Sequence, residues 1–409
     1  MKNLNQIIKI LIARKEQGEK PITLLAVCPN SSAVLEAAIK SAARKRSIML
    51  FAATLNQVDF EAGYTGWTPA EFVNQIRLYA EKYQWNGPLY PCLDHGGPWL
   101  KDVHTLNNLS YAETMGKVKN SITTCVKAGY QLLHIDPTVD RSFSSAHPIP
   151  LELVVDRTVE LIAFTENYRR ENRLASIAYE VGTEEVHGGL VDLTRFNQFL
   201  ILLRKQMKDK GLNDCWPCFF VAQVGTDLHT TIFNSQASQR LYCMLAPNGS
   251  LVKGHYSDWV ENPEEYPSTG MGGANVGPEF TAEEYLALKE LANTEAEIIR
   301  NLNNPPSNFL KTLEEVVIES GRWKKWLHLN ELELPFKDLT LKRKEWLLMT
   351  GSRYIWTDYR VRVARNKMYE NLSIRISDPN AYVVEKISRV IEKYIEAFNL
   401  QDSIDILGG

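Results

Sequence analysis

The chain has 409 residues, 44% of them apolar, and a formal net charge of −3, which allows one large buried core and a smaller second one. That balance leaves no excess of positive charge to hold nucleic acid or an anionic membrane, so neither is expected as a partner. No apolar run approaches the ~20 residues of a membrane span, and charges interrupt the first apolar stretch too early for a signal peptide. A soluble, cytoplasmic protein is therefore expected.

In chain order, residues 1–20 read as an amphipathic helix. Short, nearly continuous apolar runs follow at 22–28, 47–54, 89–93, 131–135, 176–181, 218–224, 251–254 and 273–276. Between them lie stretches of helical period at 32–45, 69–83, 111–128, 150–171, 193–210 and 235–246. Apolar runs without alternation suit strands buried on both faces. Strand-then-helix repeated eight times predicts a (β/α)₈ barrel over residues 1–306. The rival, a doubly wound open sheet, usually carries a glycine-rich turn after its first strand. Here that turn reads Cys28-Pro29-Asn30-Ser31.

A further helix is predicted over 281–301, opening on the capping box Thr281-Ala282-Glu283-Glu284. Asn303-Asn304-Pro305-Pro306 then breaks the chain, and residues 307–409 read as a helical extension with segments at 309–319, 341–349 and 381–398. Its tryptophans, Trp323, Trp326, Trp346 and Trp356, predict real burial against the barrel. The six cysteines show no disulfide framework, and Cys215-Trp216-Pro217-Cys218 lacks the second pair or redox context that would make it a site.

Barrel chemistry sits on the C-terminal ends of the strands. Those ends carry Asp94-His95-Gly96-Gly97-Pro98, His134-Ile135-Asp136, Glu180 with Glu184-Glu185, Asp227-Leu228-His229, His255-Tyr256-Ser257-Asp258 and Asn275-Val276-Gly277-Pro278. His95, His229 and His255 fall at one level, which predicts ligands for a single divalent ion, zinc, manganese, cobalt or nickel. Glu184 or Glu185 can complete that set. Asp94, Glu180 and Asp136 are the acid/base candidates. His134 is assigned a structural role on the expectation that Asp136 points elsewhere, and His187 is left beside the Glu184-Glu185 turn. Asp59 and Glu61 flank a glycine-aromatic turn that reads equally as an ordinary loop or a cover over the barrel mouth.

These residues resemble a known family. Asn56-Gln57-Val58, Gly63-Tyr64-Thr65-Gly66-Trp67-Thr68-Pro69 and Asp94-His95-Gly96-Gly97-Pro98 are similar to stretches of the family named for the non-catalytic subunit of class II D-tagatose-1,6-bisphosphate aldolase. Gly182-Thr183-Glu184, His255 with Ser257-Asp258, Val276-Gly277-Pro278 and Ser352-Arg353-Tyr354-Ile355-Trp356 fit as well. Members have been labelled tagatose-6-phosphate kinases, but no P-loop is present here. The family often has a larger residue at Gly97. The resemblance implies a class II aldolase-like barrel with His95, His229 and His255 as ligands and Glu184 as the fourth. It also implies Asp94 and Glu180 as acid/base, and contacts to the sugar from Gln57, Asn275, Gly277 and Arg353.

The implied reaction is C3–C4 chemistry on a 2-ketose or its phosphate. Re-addition after rotation of the aldehyde would give a metal-dependent 4-epimerase, and release would give an aldolase. A self-sufficient metal-dependent 4-epimerase is the expected function, an aldolase subunit that needs a separate catalytic chain is the alternative, and a scaffold without activity is disfavoured by the intact ligand set. A homo-oligomer is a further expectation. The glycines of 270–273 offer either a phosphate cradle or room for an unphosphorylated sugar.

Overall fold

The computed structural model describes residues 2–143, 149–183, 189–227, 230–300 and 304–408. Eight parallel strands close into a barrel in sequence order: β1 (Leu24–Val27), β2 (Met49–Thr54), β3 (Leu89–Gly96), β4 (Leu132–Ile135), β5 (Ala178–Gly182), β6 (Phe219–Val221), β7 (Leu251–Gly254) and β8 (Gly273–Val276). Closure comes from β8 pairing with β1, Leu24 to Val27 against Gly273 to Val276. Most strand residues are buried on both faces, as a barrel ringed by helices requires. The (β/α)₈ expectation is met.

The opening helix, Leu4–Glu16, starts on a capping box between Asn3 and Gln6 and buries Leu4, Ile7, Ile8 and Leu11. Tyr90, near the start of β3, donates its hydroxyl hydrogen to Lys2 O at 2.9 Å. That contact places the helix at the end of the barrel where the strands begin. Helices Ser32–Lys45, Pro69–Lys82, Tyr111–Ala128, Leu151–Glu171, Leu193–Asp209, Ser235–Leu245 and Pro278–Ile299 form the outer ring.

Two boundaries differ from the sequence reading in ways that shape the site. β3 does not end at Leu93 but runs to Gly96, with its register against β4 shifting between Leu93 and Gly96. The helix expected from Thr281 begins one turn earlier, with Pro278 in its first turn and Gly277 as N-cap. The Asp258 carboxylate caps it by accepting from Gly277 N at 2.9 Å and Glu279 N at 2.8 Å. Thr281 instead accepts a hydrogen bond from Asn30 Nδ2 at 2.7 Å.

Beyond residue 304 come helices Phe309–Ser320, Leu341–Gly351, Tyr359–Leu372 and Pro379–Ala397. The last lies against Ser32–Lys45, where the small buried residues Ala37, Ala38 and Ser41 allow close approach, and against Pro278–Ile299. Arg44 binds Glu385 at 2.7 Å and Glu392 at 3.0 Å across the first contact. Trp323 and Trp356 are buried, in keeping with the aromatic content of this segment. No helix among the described residues is long and apolar enough to cross a membrane.

Candidate metal centre and its cavity

Strand alternation brings the reactive side chains together. Residues two apart on a strand share a side, so Cys92 and Asp94 of β3, His134 and the following Asp136, and Lys253 and the following His255 form matched pairs. Asp94, His95, His134 and His255 each offer a donor atom, and the four atoms lie within 4.8 Å of one another. His95 Nε2 is 3.1 Å from His255 Nδ1. Two nitrogens bound to one tetrahedral zinc stand about 3.3 Å apart. Three imidazoles and a carboxylate at this spacing fit a zinc-type divalent ion. Buried Nε2 of His134 and Oδ1 of Asn275 have no hydrogen-bond partner among the described residues, which leaves donor capacity inside the cluster.

His95 reaches this position through a left-handed backbone, φ 52°, at the end of β3. Its N–H donates to His134 Nδ1 at 3.2 Å, and its Nδ1 meets Asp136 Oδ2 at 2.6 Å. Asp136 thus turns to His95 and not to His134, and the side chains of both residues hold His95. Gly96 and Gly97 permit the approach, since a Cβ on Gly97 would lie 1.7 Å from Asp136 O. This close crossing accounts for glycine at position 97.

Below the imidazoles lies a buried charge network that the sequence reading did not assemble. Lys253 Nζ donates to Glu180 Oε1 at 3.0 Å and Oε2 at 2.8 Å. His255 Nε2 is 2.9 Å from the same Glu180 Oε1. Burial alone would raise the Glu180 carboxyl, but Lys253 and the imidazoles of His134 and His255 carry it down to about 2. Burial likewise works against charge on His95, yet Asp94 and Asp136 raise its imidazole to about 9. His255, where burial dominates, is lowered to about 4. Asp94 is held well below the usual carboxylate range: His95, His255, His134 and Lys253 outweigh its burial. Asn275 Nδ2 also donates to Asp94 Oδ2 at 3.1 Å.

A cavity of about 270 Å³ opens above this cluster, and Asp94, His95, His255, Gln57, Asn275, Gly277 and Arg353 are on its wall. Glu180 and Asp136 are not among its described lining residues. Glu180 is turned to Lys253, and Asp136 to His95 and to Thr138 Oγ1 at 2.5 Å. Gln57 is fixed by bonds to Pro29 O and Asn30 Oδ1, both at 3.1 Å. Tyr64 donates to the same Asn30 oxygen at 2.6 Å.

The C-terminal segment adds Arg322 and Lys325, which no pattern had singled out, and brings Trp326 and Tyr354 to the same cavity wall. Asp59 lies buried under Lys101 at 2.5 Å, and Glu61 meets the same Lys101 at 3.2 Å, so this pair ties two loops together. Cys215 and Cys218 are unpaired buried thiols. Two expected ligands, Glu184 and His229, lie outside the described residues, as do Glu185 and His187.

Known proteins give the arrangement a context. Two Escherichia coli proteins named D-tagatose-1,6-bisphosphate aldolase subunit GatZ, from strains SMS-3-5 / SECEC and O157:H7 EC4115 / EHEC, are each 28% identical to it. Both alignments span 89% of this chain and 88% of the relative. Among solved structures, a Sinorhizobium meliloti 1021 protein described as a "probable tagatose 6 phosphate kinase" superposes with TM-score 0.75 at 19% identity, over 92% of this chain and all of that one. A fructose-bisphosphate aldolase from Campylobacter jejuni gives TM-score 0.56 at 11% identity, over 98% of this chain and 96% of that one. These two likenesses establish the fold. Residues 8–397 match the family described as D-tagatose-1,6-bisphosphate aldolase subunit GatZ/KbaZ-like, and the chain belongs to that family.

Proposed function

We propose that this chain is a subunit of a class II tagatose-bisphosphate-type aldolase that works with a separate catalytic chain. The observation that carries this reading is the family match across residues 8–397, with relatives named as aldolase subunits over most of their length.

A second reading, turnover by this chain alone as a 4-epimerase of a 2-ketose or 2-ketose phosphate, is favoured by one observation. Asp94, three imidazoles and a cavity large enough for a sugar occur together. In that reading His95, His134 and His255 would hold the divalent ion, with Glu184 and His229 kept as further ligand candidates and Asp94 left free to act on the sugar. Bound there, the ion would supply Lewis-acid polarisation of sugar oxygens.

Asp94, ionised and facing the cavity, accepts the proton of the C4 hydroxyl as the C3–C4 bond opens. The C4 carbon leaves as an aldehyde, and the bonding pair stays on the C3 fragment. Gln57 and Asn275, already anchored by their other contacts, orient sugar hydroxyls. Asp136 and Glu180 act as positioning residues by fixing the tautomer of His95 and His255.

Incubating the Mn²⁺- or Zn²⁺-loaded chain with D-tagatose 1,6-bisphosphate, fructose, fructose 6-phosphate and tagatose separates the readings. The assay is run with and without a catalytic class II tagatose-bisphosphate aldolase chain. Cleavage that this chain raises only in the presence of the catalytic chain supports the subunit reading. C4-epimer formed by this chain alone, and lost in Asp94→Asn, supports the epimerase. A chain that retains no metal on elemental analysis and changes neither rate sinks both.

A further inference from the structure

Barrel enzymes commonly grip an oxyanion with the loops after strands seven and eight and with the N-terminus of the following helix. In this chain the protein itself occupies the helix N-terminus, and the glycine-rich segment lies elsewhere. The glycines at 270 and 272 precede β8, so they lie at the opposite end of the barrel from His95. Gly270, φ +89°, would place a Cβ 2.3 Å from the Tyr242 ring, and Gly272 would place one 2.5 Å from Leu251 Cβ. They serve close packing there, and the phosphate cradle offered by the sequence reading is ruled out. At the other end, the N-terminus of helix Pro278–Ile299 is already capped by Asp258 through Gly277 and Glu279 N–H. Pro278 has no N–H to offer. Glu279 turns its own carboxylate to Trp259 N at 2.6 Å. Two carboxylates at one helix end repel an incoming dianion.

The cavity wall supplied by the C-terminal segment has the opposite character. Arg322, Lys325 and Arg353 line it together with Asp102. Asp102 pairs with both Arg322 and Lys325, while Asp94 and Asp258 are the other carboxylates on the cavity wall. Arg353 is only 7% exposed. Its Nε donates to Thr350 O at 2.8 Å, while its buried Nη2 has no partner among the described residues. The guanidinium lies 4.8 Å from the Trp326 ring and 5.5 Å from the Tyr354 ring. Arg322 stacks 4.4 Å from that same Tyr354 ring. These ring contacts hold both guanidiniums in place, Arg322 being shared with Asp102 and Arg353 keeping Nη2 for an oxyanion.

We propose that Arg353, with Arg322 beside it, is the subsite for a terminal oxyanion of the sugar, a phosphate ester or a carboxylate. The C-terminal segment thereby selects anionic over neutral ketoses. The inference rests on the ketose reading of the cavity, but its readout is binding rather than turnover.

Calorimetric titration of the metal-loaded full chain would use D-fructose 6-phosphate, D-fructuronate, D-fructose and inorganic phosphate, on wild type, Arg353→Met and Arg353→Lys. Arg353→Met is expected to weaken the preferred anionic sugar at least about tenfold, with fructose changed less than about twofold and Lys restoring part of the loss. Which anion the wild type prefers distinguishes ester from carboxylate. Should Arg353→Met fail to fold, Arg322→Gln is read the same way, with a several-fold loss expected. Equal weakening of all ligands, no weakening of either anionic sugar, or no binding of any probe overturns the subsite. Arg353-dependent phosphate binding in a chain that affects no sugar reaction would sink the aldolase and epimerase readings and leave the subsite standing.

Discussion

His95 occupies a left-handed backbone position that costs a non-glycine residue about 1–3 kcal/mol. The contacts to His134 and Asp136 hold it there, and they also settle its tautomer: with Nδ1–H given to Asp136, Nε2 faces His255 and the cavity. Such carboxylate–imidazole contacts tune metal affinity as well as orientation. Asp136→Asn keeps the shape and removes the charge, so zinc affinity measured by competition with a chromophoric chelator should fall about 10–100-fold with the fold retained. Unchanged affinity would show that Asp136 does not set His95 for metal. Lys253 and Glu180 illustrate a different demand, since a charge in a barrel interior is tolerated only when paired. Their partnership was legible in outline. A lysine two residues before His255 on a strand must share its side, and only an acid on a neighbouring inward position can meet it.

At the scale of elements, the strands were readable because burial on both faces leaves continuous apolar runs, and all eight begin and end within three residues of expectation. β6 stops three residues short at Val221, and β3 runs three residues long at its C-terminal end. Asp94 and His95 look like loop chemistry, yet they continue the strand through an irregular register, and nothing in a polar pair announces that. Helix Tyr359–Leu372 also went unread, because a thin stripe of Val361, Ala364, Met368 and Leu372 is buried within a highly charged sequence. Arg322 and Lys325 lie more than 220 positions from His95 in the chain, and only the fold brings them to one cavity. The β3–β4 crossing at Gly97 is testable in its own right. Gly97→Ala drives a methyl into Asp136 O, so one strand end must move. Loss of about 1–3 kcal/mol in urea unfolding, with weakened metal binding, is the expected result. A variant with wild-type stability and metal content would refute the steric account.

For the whole molecule, the contacts of the first barrel helix with the rest carry a pH dependence. Glu284 is buried and accepts Ser31 Oγ at 2.6 Å. Burial pushes its carboxyl from an ordinary 4.5 to about 7. The folded chain therefore holds this proton more tightly than the unfolded chain. Its contribution is complete below pH 4.5, declines as pH rises through 7, and amounts to about 3 kcal/mol of lost stability above that. Glu284→Gln should match wild type at pH 4.5 in melting temperature and exceed it at pH 8; equal melting temperatures at pH 8 would contradict the assignment.

The helix Pro379–Ala397 has a consequence of another kind. It bridges Ser32–Lys45 and Pro278–Ile299, the helices that follow β1 and β8, and so lies across the seam where the ring of strands meets itself. During synthesis that latch can form only after residues 379–397 have left the ribosome. Until then the joint between the first and last staves is held by their strand pairing and by contacts such as Ser31–Glu284.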